Sequence, residues 1–237
     1  MSKISRVFNK DCMELLKESG DNEYDLAIVD VPYGIGETAK KSKGRVTKKF
    51  NKKWKNRKAP DYAGSDTWDN HSPEESYFRE LKRVSKNQII WGANHFSNKF
   101  DSSSSGWIVW FKKRFGEKND FSDAELAYSS FKKGCRLFHL PWIGFGAVNV
   151  GEKRIHPTQK PVRLYEWLLA NYAKEGDKIL DTHGGSMSSV IACLNLGFEI
   201  TCAELDKDYY KEAKERINEH QRQQRLFTTK QELIFND

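Results

Sequence analysis

KILDTHGGSMSSVIACLNLGFEITCAELD, Lys178 to Asp206, is the stretch that decides the fold. Lys178 to Asp181 is a short apolar run ending on an acid, which reads as a buried strand. THGGSMSS follows as a tight turn of small residues, and Val190 to Leu196 carries a helix. Ile200 to Asp206 is a second apolar run that again ends on acids. Strand, turn, helix and strand in this order make a βαβ unit, which demands a parallel sheet. Gly184, Gly185 and Ser186 let a ligand approach the backbone closely. Glu204 stands 23 residues after Asp181. That is about the spacing at which an acid accepts both ribose hydroxyls of an adenosine-containing cofactor. The turn lacks both GxGxxG and a GK[ST] ending, which disfavours a dinucleotide or a nucleoside triphosphate.

Outward from this unit, Leu164 to Tyr172 and Asp208 to Gln224 read as helices on either side. Near the start, Met13, Leu15 and Leu16 follow Asp11 in a short helix with an acid at its head. YDLAIVD, Tyr24 to Asp30, is a buried-strand run followed at once by VPYGIG. A helix around Glu74 to Val84 leads to strands at Gln88 to Phe96 and Gly106 to Phe111. Lys112 to Arg154 has no long periodic element and reads as strands, loops and a recognition insert. Acids that end parallel strands stand where ligands bind. Asp30 and the Val31 carbonyl can accept the two N–H bonds of an exocyclic amine on a planar base, with Pro32 stiffening the turn and Tyr33 stacking. The same residues also suit a plain cap and turn, with Asp30 satisfying loop amides and Tyr33 packed.

The 237 residues and 27.5 kDa suit one α/β domain with inserts, and 38% hydrophobic residues suffice for a core. No run approaches the ~18 apolar residues of a membrane span. The opening MSKISRVFNKDCMELL has no apolar signal core, which argues against secretion and for a cytoplasmic protein. Cys12, Cys135, Cys193 and Cys202 form no CxxC pair and have no histidine at zinc-site spacing, so no metal is expected. Cys193 and Cys202 read as small buried hydrophobes.

The net charge of +7 has one source. KKSKGRVTKKFNKKWKNRK holds Lys40, Lys41, Lys43, Arg45, Lys48, Lys49, Lys52, Lys53, Lys55, Arg57 and Lys58, with no acid. Without those 11, the remaining 29 bases face 33 acids, a net of −4. Dense positive charge interrupted by Phe50 and Trp54 suits a nucleic-acid contact through phosphates, against the alternative of a solvated loop.

Together, DVPYG at Asp30–Gly34, HPTQKP at His156–Pro161, DTHGGS at Asp181–Ser186 and ELD at Glu204–Asp206 resemble the amino-group DNA methyltransferases of the β arrangement. In that family [DNS]PP[YF] comes early and the cofactor half comes late, as here. The resemblance spans roughly residues 5 to 222, and IIWGANHF, GWIVWFK and FSDAELAY are similar to connecting strands of phage-borne members. It implies a doubly wound, mostly parallel α/β sheet of the S-adenosylmethionine-dependent methyltransferase type, with loop inserts. The methyltransferase domain would occupy 1–222, with a basic DNA-contacting insert at 37–66, a target-recognition region at 112–154 and a tail at 223–237.

The resemblance also implies roles. Asp30, Val31, Pro32 and Tyr33 hold a flipped base, and the Asp at the first position favours adenine N6 over cytosine N4. Asp181, Thr182, His183, Gly184, Gly185 and Ser186 line S-adenosyl-L-methionine, with Thr158 and Lys160 at its methionine end. Glu204 takes the ribose, and Asp11 and Cys12 touch the adenine edge. Double-stranded DNA is the implied partner, in the cytoplasm of a bacterial or phage-infected cell, and members of the family often pair as homodimers. Val31 replaces a proline and Met187 a glycine of the family pattern, and the Met187 side chain must either crowd the cofactor or enter the helix packing. Cytosine N4 methylation and a weakly active or inactive DNA-binding relative stay open. Motif order argues against RNA or protein amides. Gln223–Phe227 and Gln231–Phe235 resemble the Q-x-x-[LI]-F peptides taken by bacterial sliding clamps, against the alternative of a helix end packed on the domain.

Overall fold

The computed structural model describes residues 4–35, 69–116, 122–142, 152, 154–224 and 232–236. In chain order these form β1 (Ile4–Asn9), α1 (Cys12–Glu18), β2 (Tyr24–Val29), α2 (Glu75–Val84), β3 (Ser85–Trp91), β4 (Ile108–Phe111), β5 (Ala124–Ser129) and β6 (Arg136–His139). There follow α3 (Val162–Tyr172), β7 (Lys178–Asp181), α4 (Ser188–Leu196), β8 (Glu199–Glu204), α5 (Lys207–Gln224) and β9 (Glu232–Asn236). The strands lie in one sheet in the order β6-β4-β5-β3-β2-β7-β8-β1-β9. Every pairing is parallel except those of β5, which runs against both β3 and β4.

Side-chain alternation in the central strands builds two cores. Leu26 and Ile28 of β2 face one cluster with Leu164 and Leu168 of α3, Val190 and Ile191 of α4, and Ala213 and Ile217 of α5. Ala27 and Val29 face the other, with Leu15 and Leu16 of α1 and Tyr77, Phe78 and Leu81 of α2. Both faces of the sheet are thus covered, as a parallel sheet requires. In α2 the buried residues Tyr77, Phe78, Leu81 and Val84 recur at helical spacing, so one stripe packs and the charged remainder faces outward. In α4 the residues from Ser188 to Leu194 are all buried, as expected of an apolar helix between neighbours.

The sheet departs from the sequence reading at its ends. The sequence reading places no strand at β1 or β9, which are short and have weak alternation. The tail expected from residue 223 begins inside α5, and its residues 232–236 pair with β1 as an edge strand. Leu233 and Phe235 of the second clamp-like pentad pack on the core, while Ile234 is exposed. Residues 225–231, which complete both pentads, lie outside the described residues. Residues 112–154 supply β5 and β6, so that segment is in part framework. The strand read as Gln88 to Phe96 stops at Trp91, because Gly92 turns the chain with φ +70 into a 3-10 turn at Ala93–His95.

From β2 the chain moves outward to β3, and from β7 it moves the opposite way to β8. The crevice between the C-terminal ends of β2 and β7 is therefore the switch point, where open parallel sheets bind ligands.

Candidate active site

A cavity of about 420 Å³ opens at this switch point, within the range of small-molecule sites. The turn after β7 forms its floor, and Thr182, His183, Gly184, Gly185 and Ser186 all line it. Asp181 does not line it. Buried at 1% exposure, Asp181 accepts the Ser189 hydroxyl at 2.5 Å and the His183 amide at 3.1 Å, pinning the turn to the head of α4. Burial pushes its carboxyl up to about 6. The Gly184 amide donates to the Ala203 carbonyl at 2.8 Å. A Cβ at Gly184 would stand 2.7 Å from Cys202 Sγ, so only glycine lets the turn lie against β8. Thr182 shares a hydrogen bond of 2.7 Å with the Tyr77 hydroxyl, and burial holds the His183 ring neutral, its value lowered to about 4.

Met187 answers the sequence ambiguity. It sits at φ +54, the left-handed region that explains a glycine in the family pattern, and its side chain is fully buried in the helix core. It enters the packing and does not line the cavity. Val31 likewise packs into the core under α1 and α2.

Glu204, at the end of the neighbouring β8, lines the wall beside the turn after β7. Its two oxygens accept the Gly185 amide at 2.7 Å and the Asp206 amide at 2.8 Å, which fixes the carboxylate across the floor. Burial outweighs these bonds and pushes Glu204 up to about 7. Asp11 caps α1 by accepting the Met13 amide at 2.8 Å, and with Cys12 it lines the same wall. Burial, reinforced by Asp11, pushes the Cys12 thiol up to about 12, so it is no thiolate nucleophile. His156 and Thr158 close the cavity from the HPTQKP segment, joined by a 3.1 Å hydrogen bond between Thr158 Oγ1 and His156 Nδ1.

The β2 side is built differently. Asp30 and Pro32 line the cavity, and Asp30 forms an ion pair of 2.5 Å with Lys160. Lys160 was expected at the methionine end of a cofactor; it lines the cavity but is tied to two carboxylates, Asp30 and, at 3.2 Å, Glu125. Glu125, on β5, pairs in turn with Lys112 at 2.6 Å. Burial opposes ionisation of Glu125, but Lys160 and Lys112 outweigh it and hold Glu125 at about 2. The same two carboxylates keep Lys160 protonated against burial, whereas burial pushes Asp30 up despite Lys160.

Tyr33 does not line the cavity. Its hydroxyl donates to Asp30 at 3.1 Å, and its ring stacks on His95 with centroids 5.1 Å apart. A Cβ at Gly92 would fall within 2.1 Å of that ring, so Gly92 makes room for Tyr33. Asp69 accepts the Tyr33 and Gly34 amides at 2.9 and 3.0 Å, which closes the root of the insert beside Pro32 and Tyr33. The insert's basic residues, Lys40 to Lys58, lie outside the described residues.

Glu125, Asp69, Tyr77 and His95 escaped the sequence reading. Each is a polar or aromatic residue in an unremarkable context, brought to the site by a long-range contact. FSDAELAY, which contains Glu125, and IIWGANHF, which contains His95, carry a signal through their similarity to family strands, but neither fragment marks those two residues.

Residues 24–215 match the family model described as DNA methylase, of the N6/N4 class. The chain is 23% identical over 254 residues to the Type II methyltransferase M2.MboI of Moraxella bovis, covering 90% of this chain and 87% of the relative. Among solved structures it is similar to the M1.HpyAVI–SAM complex, with TM-score 0.54, 19% identity, and coverage of 90% of this chain and 99% of that one. The cytosine-N4-specific PvuII DNA methyltransferase gives TM-score 0.54 at 11% identity, over 94% and 93% of the two chains.

Proposed function

Since this chain belongs to the amino-group DNA methylase family, we propose that it transfers the methyl group of S-adenosyl-L-methionine to N6 of adenine in double-stranded DNA. The observation that carries the reading is one cavity with two walls: Asp30 opens onto the space that also holds the Thr182–Ser186 turn and Glu204. The donor set fits the cofactor. A carboxylate faces the place for ribose hydroxyls, a glycine turn admits close backbone approach, and Cys12 and Leu205 supply apolar contact for a planar base.

When bound, S-adenosylmethionine supplies a sulfonium methyl group, a ready electrophile. Glu204 holds the ribose end, Asp11 and Cys12 the adenine edge, and Thr158 the methionine end. The target base must leave the duplex stack to reach Asp30, at a cost of a few kcal/mol. Its exocyclic amine is a poor nucleophile because the lone pair is delocalised into the ring. A carboxylate accepting its N–H favours a pyramidal nitrogen and stabilises the positive charge that develops there. Burial raises Asp30, so its carboxylate can also hold the proton that the methylated nitrogen gives up. No covalent bond to protein is needed, in keeping with the neutral Cys12 thiol. The choice of N6 rests on Asp at the first motif position. The basic arm, rooted beside Tyr33 through Asp69, is assigned to DNA phosphates.

Incubation with labelled S-adenosylmethionine and duplex DNA tests this reading. Hydrolysis of the product should yield N6-methyladenine, and label should vanish in Asp30→Ala. N4-methylcytosine in the digest would replace adenine by cytosine. Absence of transfer with cofactor bound would favour a DNA-binding relative.

A further inference from the structure

Lys160 is a cation that a simple amine-acceptor site does not need. Its Nζ sits 2.5 Å from Asp30 Oδ1, on the carboxylate where an incoming amine must find an acceptor. The Tyr33 hydroxyl also donates to Oδ1, at 3.1 Å. So engaged and neutralised, Asp30 is a weaker acceptor than a bare carboxylate. A second carboxylate is within reach of Lys160. Glu125 Oε2 is 3.2 Å from Nζ, while Glu125 Oε1 is anchored by Lys112 at 2.6 Å. Lys112, Glu125, Lys160 and Asp30 thus form one chain of alternating charge, two ammoniums against two carboxylates.

The placement of Glu125 follows from the one reversed strand. Because β5 runs against β3 and β4, its first residues lie at the edge where the other strands end, beside Asp30. In a parallel strand the same residue would lie at the opposite edge. The Tyr33 hydroxyl stands between the two carboxylates, 3.1 Å from Asp30 and 3.5 Å from Glu125, and can donate to either.

We propose that Glu125 is a positioning residue for methyl transfer: it is the seat to which Lys160 moves when the target amine docks on Asp30. The inference rests on the DNA amino-methylation reading above. The move is short, since Nζ already lies within ion-pair distance of both carboxylates. It returns full negative charge to Asp30 where positive charge develops on the amine. It also keeps a buried ammonium paired, which avoids the penalty of a stranded charge.

The test compares full-length wild type, Glu125→Gln, Glu125→Asp and the double variant Glu125→Gln/Lys160→Gln, with labelled S-adenosylmethionine and duplex DNA. In Glu125→Gln the charged seat is gone and Lys160 stays on Asp30. There kcat should fall about tenfold or more while KM for the cofactor stays within about twofold. Glu125→Asp should regain part of that loss. Adding Lys160→Gln should restore activity above the Glu125→Gln level, because it removes the cation that covers Asp30. A merely structural Glu125 predicts the reverse, a deeper loss in the double variant, and that result overturns the proposal, as does wild-type kcat in Glu125→Gln. A crystal structure of Asp30→Asn gives a readout independent of transfer and of Glu125 variants that fail to fold. Lys160 Nζ should move wholly onto Glu125, and Nζ remaining on residue 30 overturns the proposal. A wild type that methylates no duplex would instead remove the DNA-methylation reading, and the crystal structure would still decide the seat of Lys160.

Discussion

The two walls of the cavity are held by different forces. On the β7–β8 wall, Glu204 is fixed by the main-chain amides of Gly185 and Asp206, over a turn that buried Asp181 pins from behind through the His183 amide and the Ser189 hydroxyl. On the β2 wall, Asp30 is held by side-chain charges and one hydroxyl. Amides of a packed turn cannot move without disturbing the sheet, so that wall is shaped before any ligand arrives. Ion pairs between long side chains can exchange partners over a few tenths of an ångström. One wall is thus set by the backbone, whereas the other rests on ion pairs, which the proposed move of Lys160 would exchange.

The contrast breaks most sharply at Asp30. Asp30→Ala should lower methyl transfer by roughly 100-fold or more, the scale of losing one preorganised transition-state group. Cofactor affinity measured by calorimetry should change little, and a parallel loss of both would erase the distinction between the walls. Next in size is deletion of Lys40 to Lys58. Removing 11 positive charges should weaken duplex affinity by about tenfold or more at moderate salt and flatten its salt dependence, again sparing the cofactor. Equal loss of cofactor binding would make the arm part of the fold.

Glu204 gives a pH signature on the other wall. Its value is raised from an ordinary 4.5 to about 7 in the folded protein. Ribose hydroxyls need the carboxylate, so cofactor affinity should hold above pH 7 and fall below it, by up to about tenfold per pH unit. For stability the sign is opposite. Between those two values the unfolded chain releases a proton that the folded one keeps, so this group destabilises the fold as pH rises from 4.5 toward 7. Glu204→Gln should flatten the affinity profile, and an unchanged profile would remove Glu204 from the ribose site. The smallest effect belongs to Met187→Gly. Glycine relieves the left-handed backbone at φ +54 but empties a fully buried site, for a net loss of ~1–2 kcal/mol. Thermal unfolding should shift down by a few degrees with transfer intact. A large loss of transfer would mean that Met187 shapes the cofactor turn.

The wall fixed by main chain is also the wall that was legible. Lys178 to Asp206 announces strand, turn, helix and strand, because each local preference agrees with the tertiary outcome. Gly184 could be singled out as a close approach, and the structure supplies what is approached, Cys202 Sγ at 2.7 Å. On the β2 wall Asp30 and Pro32 were legible, but Tyr33 faces His95 instead of the cavity, and no local pattern announces that. Glu125 lies 95 residues from Asp30 and carries no motif of its own.

The βαβ unit, the two acid-ended strands and the concentration of positive charge in one arm follow from the chain's local order of residues. These are properties of neighbouring residues, governed by period, turn chemistry and composition. Which charges meet is settled by the folded arrangement instead. The reversal of β5 brings Glu125 to the site edge, and Lys160 bridges it to Asp30 over the end of β3. Strand direction depends on the whole chain's path and ion pairing on distances of a few ångströms, and neither is written in any local stretch of residues.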